Sequence, residues 1–224
     1  MLSILSYSGF YGSMNSNIAY FRELVSSGKP LSVSTHSDAD GVIAAVLLST
    51  VTRIATSSKE HPNCPEFPST FGKVGDVDVV LDQLPQAGTV RVNRAPLTVV
   101  VDHHPNHPET PPYKLVWDSV PTSLIVYEAL KDMIPKEDAW KVAIGLVGDG
   151  QPELIPSEIW LEHRELLYEY GWVSESYGQT KFYSYPAYRL LSRAVNDICR
   201  ANCPEVAFEM AKNCLLYTSD AADE

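Results

Sequence analysis

The sequence predicts an α/β fold, with a mainly parallel sheet, helices on both faces and a helical segment after it. Residues 77–81 and 97–101 are continuous apolar runs, typical of strands covered on both faces in a parallel sheet. Residues 31–35 alternate like a further strand, and the apolar run 41–55 that follows has the length of a helix. Strands that alternate with helices in this order favour the α/β class.

The other elements follow from hydrophobic periodicity and from turn residues. Residues 17–26 predict a short amphipathic helix, and residues 57–75, rich in Pro, Ser and Gly, predict a loop. Thr122 or Ser123 is expected to cap a helix that reaches about Met133. Further helices are predicted at residues 137–147, 157–170, 187–198 and 205–213.

The chain divides into three parts. Residues 1–155 form the predicted core domain, residues 156–213 a helical continuation, and residues 214–224 a tail of a different kind. The tail matches, residue for residue, a translation of the transposon-end adapter used to prepare sequencing libraries. We therefore expect it to be non-native, and we expect the natural protein to continue beyond residue 213 into a further domain. A frayed acidic C-terminus is the alternative.

Charge and hydropathy narrow the function classes. The formal net charge is −11, whereas a protein that binds nucleic acid through its own surface normally carries a basic face. A polyanionic partner would therefore have to be held by bound cations or by a part of the protein outside this sequence. No apolar stretch reaches the roughly 18–20 residues that span a bilayer, so no membrane partner is expected.

The four cysteines indicate a reducing compartment. They are sparse and give no disulfide framework, so a cytoplasmic location is the simplest prediction. Cys199 and Cys203 have a spacing that zinc sites use, but no second pair accompanies them, and a zinc site is therefore the weaker interpretation.

The most informative motif is His-Ser-Asp-Ala-Asp-Gly at residues 36–41. His36, Asp38 and Asp40 occupy every second position, so in an extended backbone their side chains point to one face, about 6–7 Å apart at each step. An imidazole and two carboxylates aimed at one spot suit a divalent metal ion. A helix-capping role for Asp38 or Asp40 is the alternative.

Polar residues also follow the two apolar strands. Asp82 comes directly after the first of them, and Asp-His-His at residues 102–104 comes after the second. A carboxylate at the end of a buried strand has to be hydrated, paired or bound to a cation. In open α/β sheets ligands gather beyond the carboxyl ends of the strands, which is where these residues and His36 fall. We therefore predict one metal site, with a satisfied core histidine at His103 as the alternative.

Four motifs in order resemble those of the DHH phosphoesterase superfamily, which includes RecJ-type single-strand exonucleases, nano-oligonucleotide and cyclic-dinucleotide phosphodiesterases, and manganese-dependent inorganic pyrophosphatases. The motifs are residues 36–41, Asp82 after its strand, Asp102-His103-His104, and Gly145-Leu146-Val147-Gly148-Asp149. The resemblance covers about residues 30–150 and implies the fold predicted above. For Asp149, a residue that merely ends a helix is the alternative.

The resemblance implies two divalent cations, one held by three side chains and the other by four. The first set is His36, Asp38 and Asp82; the second is Asp40, Asp82, His103 and Asp149, so that Asp82 bridges the pair. Two cations about 3.5–4 Å apart activate a water molecule and stabilise the attacking and leaving oxygens. The mixed imidazole and carboxylate ligands suit Mn²⁺, with Mg²⁺, Co²⁺ or Fe²⁺ as alternatives.

The resemblance also implies a catalytic and substrate-binding role for His104, in contact with the scissile phosphate or its leaving oxygen. Adjacent side chains of an extended segment face opposite sides, so we expect His103 and His104 to point apart. Asp102 lies on the same side as His104 and is expected to orient its ring during catalysis. His107 and His163 are expected to be ordinary histidines, as is His61.

Two features bear on the branch of the family. His36 and Asp38 are two residues apart, whereas the pyrophosphatases place their histidine and first aspartate four apart, which favours the nuclease-like branch. The Gly-Gly-Gly-His signature of the family's C-terminal substrate domain is absent, as expected if the sequence ends early. The aromatic residues between positions 172 and 188 are expected to pack against the sheet domain, with base stacking as the alternative.

We therefore predict a divalent-metal-dependent phosphoesterase, an exonuclease-like hydrolase that uses Mn²⁺ and acts on single-stranded DNA or RNA or on short oligonucleotides. A phosphatase or phosphodiesterase for a small anion (a cyclic dinucleotide, pyrophosphate or a nucleotide monoester) is the first alternative, and the acidic charge would tolerate it better. A non-catalytic scaffold with the same fold is the second, although such relatives tend to lose ligands and every predicted ligand position is filled here.

Overall fold

The computed structural model describes residues 11–55, 63–67, 77–85, 97–176 and 179–214. Most of the predicted loop 57–75, His61 and the tail beyond Cys214 lie outside these residues. Within the described ranges the chain folds as a parallel sheet with helices, so the predicted α/β class is confirmed.

Five parallel strands form the main sheet. They are β1 (Leu31–Thr35), β2 (Ile54–Ala55), β3 (Val79–Leu81), β4 (Val99–Asp102) and β5 (Lys114–Trp117). Their spatial order is β2-β1-β3-β4-β5, so the chain order reverses between β1 and β3. In parallel α/β sheets such a reversal opens a crevice at the carboxyl ends of the two strands, where ligands bind.

Helices precede, interrupt and follow the strands. They are α1 (Tyr11–Ser26), α2 (Ala39–Val51), α3 (Thr122–Leu130), α4 (Lys136–Ala139), α5 (Val142–Gly148), α6 (Ser157–Glu162), α7 (Ala187–Arg200) and α8 (Pro204–Asn213). Short 3₁₀ turns occur at Pro152–Leu154 and Arg164–Leu167. None of the helices in the described ranges has both the length and the apolar composition needed to cross a bilayer.

Helix α2 lies at the centre of the core. All ten residues from Ala39 to Leu48 are buried, because the sequence is apolar around the whole helix rather than along one stripe. The helix packs against β1, α3 and α5, and Val79 of the sheet belongs to the same core. Val80 points to the opposite face, where a second and smaller cluster lies. Because the first turn of α2 is inside the core, its polar residues are buried as well.

One local prediction after the sheet was wrong. The helix expected at residues 157–170 ends at Glu162, and an antiparallel hairpin follows, made of β6 (Glu169–Ser176) and β7 (Gln179–Pro186). β6 contains Tyr, Trp and Val, and β7 contains Thr, Phe and two Tyr; these residues fit a pleated surface, and their strand preference outweighs the weak helical pattern. The helices expected at 187–198 and 205–213 are found as α7 and α8.

Candidate metal centre

The turn between β1 and α2 carries the first predicted ligands. Asp38 is the N-cap of α2, and its Oδ1 accepts the backbone N–H of Gly41 at 3.0 Å. Its Oδ2 lies 2.7 Å from Nδ1 of His36, and this hydrogen bond raises the pKa of His36. Burial acts to raise the pKa of Asp38, but the contacts to His36 and Gly41 outweigh burial and lower it. Asp38 therefore caps the helix and also stands beside His36.

Asp40 occupies the first turn of α2, and its carboxylate accepts hydrogen bonds from the first residues of α3. Its Oδ2 accepts the N–H of Thr122 at 2.7 Å, and its Oδ1 accepts the N–H and the hydroxyl of Ser123 at 3.0 and 2.5 Å. The first N–H groups of a helix lack partners within it, so a carboxylate is stabilised there. The predicted capping of α3 by Thr122 or Ser123 is wrong, because the acceptor comes from α2. A carboxylate has about four lone-pair sites, which leaves one for a cation.

Asp82 follows β3 at the reversal point of the sheet, and only 1% of its side chain is exposed. Its Oδ2 lies 3.8 Å from Nδ1 of His36. Its Oδ1 lies 3.2 Å from Nε2 of His103 and accepts the hydroxyl of Thr122 at 3.2 Å. The two oxygens of one carboxylate thus face the histidines that follow β1 and β4. Asp82 has a φ of +55°, a conformation that non-glycine residues adopt mainly where the surrounding structure imposes it.

Close packing around these carboxylates depends on two glycines. A Cβ on Gly41 would lie 3.1 Å from Oδ2 of Asp82. A Cβ on Gly145 would overlap the hydroxyl of Ser123 and lie 3.2 Å from Oδ1 of Asp40. Glycine at position 41 therefore lets α2 lie close to the end of β1 and to Asp82, and glycine at position 145 lets α5 approach Ser123 of α3 and Asp40 of α2.

Asp149 ends α5 and faces His103, with its Oδ2 3.7 Å from the histidine Nδ1. Three sets of side chains have possible ligand atoms within 4.8 Å of one another. They are His36, Asp38 and Asp82; Asp40, His103 and Asp149; and Asp82, His103 and His104. Opposite ligands of an ion with bonds of about 2.1–2.2 Å stand about 4.2–4.4 Å apart, so these separations fit metal coordination.

The carboxylates of the cluster lie close together, and their ion-pair partners among the described residues are histidines rather than lysines or arginines. Burial raises the pKa of Asp40 to about 6 against the opposing hydrogen bonds from Ser123. Burial, with repulsion from Asp40 and Asp38, raises the pKa of Asp82 well above its ordinary range. Buried carboxylates need a compensating charge, so this donor set fits divalent cations.

Asp102, His104 and His107 form a hydrogen-bonded chain beside the predicted ligands. The Asp102 side chain is fully buried, with its Oδ1 2.7 Å from Nδ1 of His104 and its Oδ2 2.9 Å from Nε2 of His107. The other ring nitrogen of His107 lies 3.0 Å from the Tyr113 hydroxyl. Burial alone would raise the pKa of Asp102, but the two imidazoles outweigh it and lower the pKa to about 2. His107 is therefore not the ordinary histidine that its proline-rich loop suggested.

His103 and His104 do not point apart as expected. Their ring centroids are 4.6 Å apart, and Nδ1 of His104 lies 3.9 Å from Oδ1 of Asp82. The expectation assumed an extended backbone, but β4 ends at Asp102 and both histidines follow it outside the strand. Because Nδ1 of His104 is directed at Asp102, Nε2 is the ring nitrogen that the predicted substrate contact would use, and 44% of the side chain is exposed.

The predicted ligands lie in one cluster, with His104 and Asp102 beside them. These ligands are His36, Asp38, Asp40, Asp82, His103 and Asp149. Their metal-binding roles stay predictions. Sequence reasoning missed the donors Thr122 and Ser123, although a polar pair directly before an apolar helical run was a usable signal. It also missed Asn196, whose Oδ1 accepts the N–H of Ala39 at 2.9 Å across 157 positions, a contact that leaves no local signal.

The fold and the cluster together define a class: a parallel α/β sheet domain with a candidate metal centre at the carboxyl ends of its strands. A solved structure with a similar fold is that of the exonuclease RecJ bound to manganese, at a TM-score of 0.53 and 16% sequence identity. The alignment covers 89% of this chain but only 60% of the RecJ chain. No protein-family model and no curated protein matches the sequence. At this identity the likeness shows a shared fold, in agreement with the fold that the DHH motifs predict.

Proposed function

We propose that the protein is a divalent-metal-dependent phosphoesterase that hydrolyses phosphodiester bonds of single-stranded or short oligonucleotides, with Mn²⁺ as its cofactor. The observation that carries the proposal is the position of Asp82. Its two carboxylate oxygens face two separate ligand sets, one with His36 and the other with His103. A carboxylate shared in this way is what a two-metal phosphoesterase needs. The fold shared with a manganese-bound exonuclease supports the same choice.

The residues that would hold the two cations fall into two groups joined through Asp82 and His103. His36 and Asp38 group with Asp82, while Asp40 and Asp149 group with His103, whose Nε2 lies 3.2 Å from Oδ1 of Asp82. When bound, the cations would supply Lewis-acid stabilisation of the phosphate charge and a water molecule of lowered pKa. A donor set of imidazole nitrogen and carboxylate oxygen suits Mn²⁺ and also accepts Mg²⁺ or Co²⁺.

His104 would contact the substrate through Nε2. The hydrogen bond to Asp102 raises the pKa of His104 and so favours the imidazolium form. As the water oxygen bonds to phosphorus and the bond to the departing sugar oxygen breaks, the Nε2 proton can neutralise that leaving oxygen. Asp102 and His107 would keep the ring in the orientation that this transfer requires.

The proposal is tested by adding Mn²⁺ to the purified protein and following hydrolysis of labelled oligonucleotides, a cyclic dinucleotide and pyrophosphate. We expect metal-dependent release of nucleoside monophosphates from the oligonucleotides. Asp82→Asn should lower the rate by about a thousandfold or more, because several kcal/mol of charge stabilisation depend on both cations.

The matched control is Asp132→Asn, the same change at an exposed aspartate that pairs with Arg22. It should keep the full rate. Full activity of Asp82→Asn would refute the shared carboxylate. Hydrolysis of pyrophosphate or the cyclic dinucleotide alone would refute the oligonucleotide substrate, and metal binding without any hydrolysis would refute the enzymatic function.

A further inference from the structure

A cleft of about 560 Å³ lies between the end of α5 and helix α7, next to the candidate metal centre. Val147 and Gly150 line it from the α5 side, and Arg189, Arg193 and Arg200 line it from α7. The whole chain carries a net charge of −11, so three guanidinium groups along one cleft are a local exception. Guanidinium groups bind phosphate oxygens through paired hydrogen bonds, so the lining suits a phosphate-bearing ligand.

The three arginines form a stripe along α7. Arg189, Arg193 and Arg200 are separated by four and seven residues, a spacing that brings side chains to one face of a helix. Eleven residues at about 1.5 Å each give the stripe a length of about 16 Å. That length exceeds the reach of one phosphate and corresponds to about five phosphates at the 3.4 Å spacing along a stacked strand.

The guanidinium groups are exposed and accessible to a ligand. Asp197 lies 3.4 Å from Arg193 and 3.4 Å from Arg200. Exposed pairs of this kind hold their partners weakly, so a phosphate can replace the carboxylate. The charged lining of the cleft consists of three arginines and one aspartate, so the cleft carries an excess of two formal positive charges.

Two links join this cleft to the metal centre. Asp149 directly precedes Gly150, so the cleft begins one residue from a predicted ligand. Asn196, which also lines the cleft, accepts the N–H of Ala39 at 2.9 Å, and Ala39 stands between two predicted ligands in the chain. Helix α7 therefore packs directly on the turn that carries Asp38 and Asp40. A single nucleic-acid strand that leaves the metal centre along α7 would enter the cleft.

We propose that this cleft binds the phosphodiester backbone of the strand whose scissile phosphate lies at the metal centre, with Arg189, Arg193 and Arg200 contacting its phosphates. The inference rests on the proposed phosphoesterase function and narrows its substrate to a single strand several nucleotides long. Backbone contacts carry no sequence information, so binding in the cleft is independent of base sequence. Three of the 17 basic residues of an acidic chain thus lie along the path of the polyanion.

The test compares two double variants of equal charge. Arg189→Gln/Arg193→Gln alters the cleft. Lys29→Gln/Arg53→Gln alters exposed positions that precede β1 and β2, at the opposite edge of the parallel sheet. Binding of a fluorescent phosphorothioate dT12 strand is measured by anisotropy at several salt concentrations with Mn²⁺. Values of kcat/KM are measured for dT12 and for the small diester bis(4-nitrophenyl) phosphate.

The cleft variant is expected to bind the strand about tenfold more weakly, with the slope of log K against log salt reduced by about 1.4, or about 0.7 for each lost phosphate contact. The ratio of kcat/KM for dT12 to that for the small diester should fall about tenfold. The control variant should keep the wild-type affinity, slope and ratio, and the loss should be the same for dA12.

Equal affinity and slope in the cleft and control variants would overturn the cleft assignment and leave the phosphoesterase function standing. A wild-type protein that binds Mn²⁺ but hydrolyses neither substrate would overturn the proposed function, and the binding measurement would still decide the cleft. A cleft variant impaired equally on dT12 and on the small diester would also overturn the proposal, because the arginines would then act at the metal centre itself.

Discussion

The substitution Asp82→Asn should stabilise the metal-free protein and abolish its stabilisation by Mn²⁺. The change keeps the shape of the side chain, and an amide oxygen in place of Oδ1 can still accept the Thr122 hydroxyl. It removes a buried group whose pKa is raised by burial and by repulsion from Asp40 and Asp38. At neutral pH the ionised form of such a group destabilises the folded state, and a neutral amide does not.

Metal binding stabilises the wild type, because the cations offset the repulsion between its buried carboxylates. A ligand present at about 100 times its Kd stabilises the folded state by about 2.7 kcal/mol, so two sites contribute about 5 kcal/mol. In a chain of 224 residues, 1 kcal/mol shifts Tm by about 2–4 °C, and the wild type should therefore gain about 10–20 °C with Mn²⁺. Without the shared ligand, we expect a gain of less than about 5 °C.

Thermal unfolding in EDTA and in Mn²⁺ measures both effects on the same two proteins. We expect the Tm of Asp82→Asn to be higher than that of the wild type in EDTA and lower than that of the wild type in Mn²⁺. Asp132→Asn, at an exposed position, should follow the wild type in both conditions. An Asp82→Asn protein that kept the full gain, or a wild type that showed none, would refute the reasoning that assigns one carboxylate to two ions.

Three further measurements address the histidine chain, the buried carboxylates and the thiols. His107→Phe should lower kcat about 10–100-fold while the Mn²⁺-induced rise in Tm is unchanged, because Asp102 loses one of its two imidazole partners; a smaller Tm rise would mean that metal binding was damaged instead. Metal-free protein should resist urea less at pH 7 than at pH 5. Burial raises the pKa of Asp40 from 3.8 to about 6, so its stabilising contribution is present below about pH 4 and is lost as the pH rises through 6. Asp102, with a pKa of about 2, is ionised in both states over that window, and stability rising from pH 5 to pH 7 would contradict the assignment. Cys203 should react first with a thiol reagent, because it is exposed while burial raises the pKa of Cys64 to about 12 and that of Cys199 to about 11; Cys203→Ser should remove the fast phase.

The clustering of the predicted ligands could be inferred from the sequence because three of them directly follow parallel strands. His36, Asp82 and His103 come after β1, β3 and β4, and the carboxyl ends of neighbouring parallel strands lie at one edge of a sheet. Strands β3 and β4 are strong signals, since burial on both faces turns them into unbroken runs of Val and Leu, whereas β1 is recognised by its alternation. Placement of these residues near one another therefore needed no knowledge of the helices.

The features that could not be predicted depend on contacts between distant parts of the chain. Thr122 has the sequence pattern of a helix cap, yet its N–H donates to Asp40, 82 positions away. His104 was expected to point away from its neighbour because nothing in the sequence fixes the end of β4 at Asp102. In the sequence, the arginines of α7 look like ordinary charged positions on a helix. Their place near the metal centre depends on the hydrogen bond between Asn196 and Ala39, which the sequence does not reveal.

The buried carboxylates indicate a functional site rather than a requirement of folding. Asp40 accepts three hydrogen bonds at the amino terminus of α3, and its pKa is still raised, so desolvation outweighs them. At neutral pH the ionised form of Asp40 therefore destabilises the folded state. A neutral side chain with an acceptor oxygen could cap α3 without this cost. The charge is accounted for if cations bound at Asp40 and Asp82 restore the lost stability, and under the proposed function the same cations would take part in the hydrolysis.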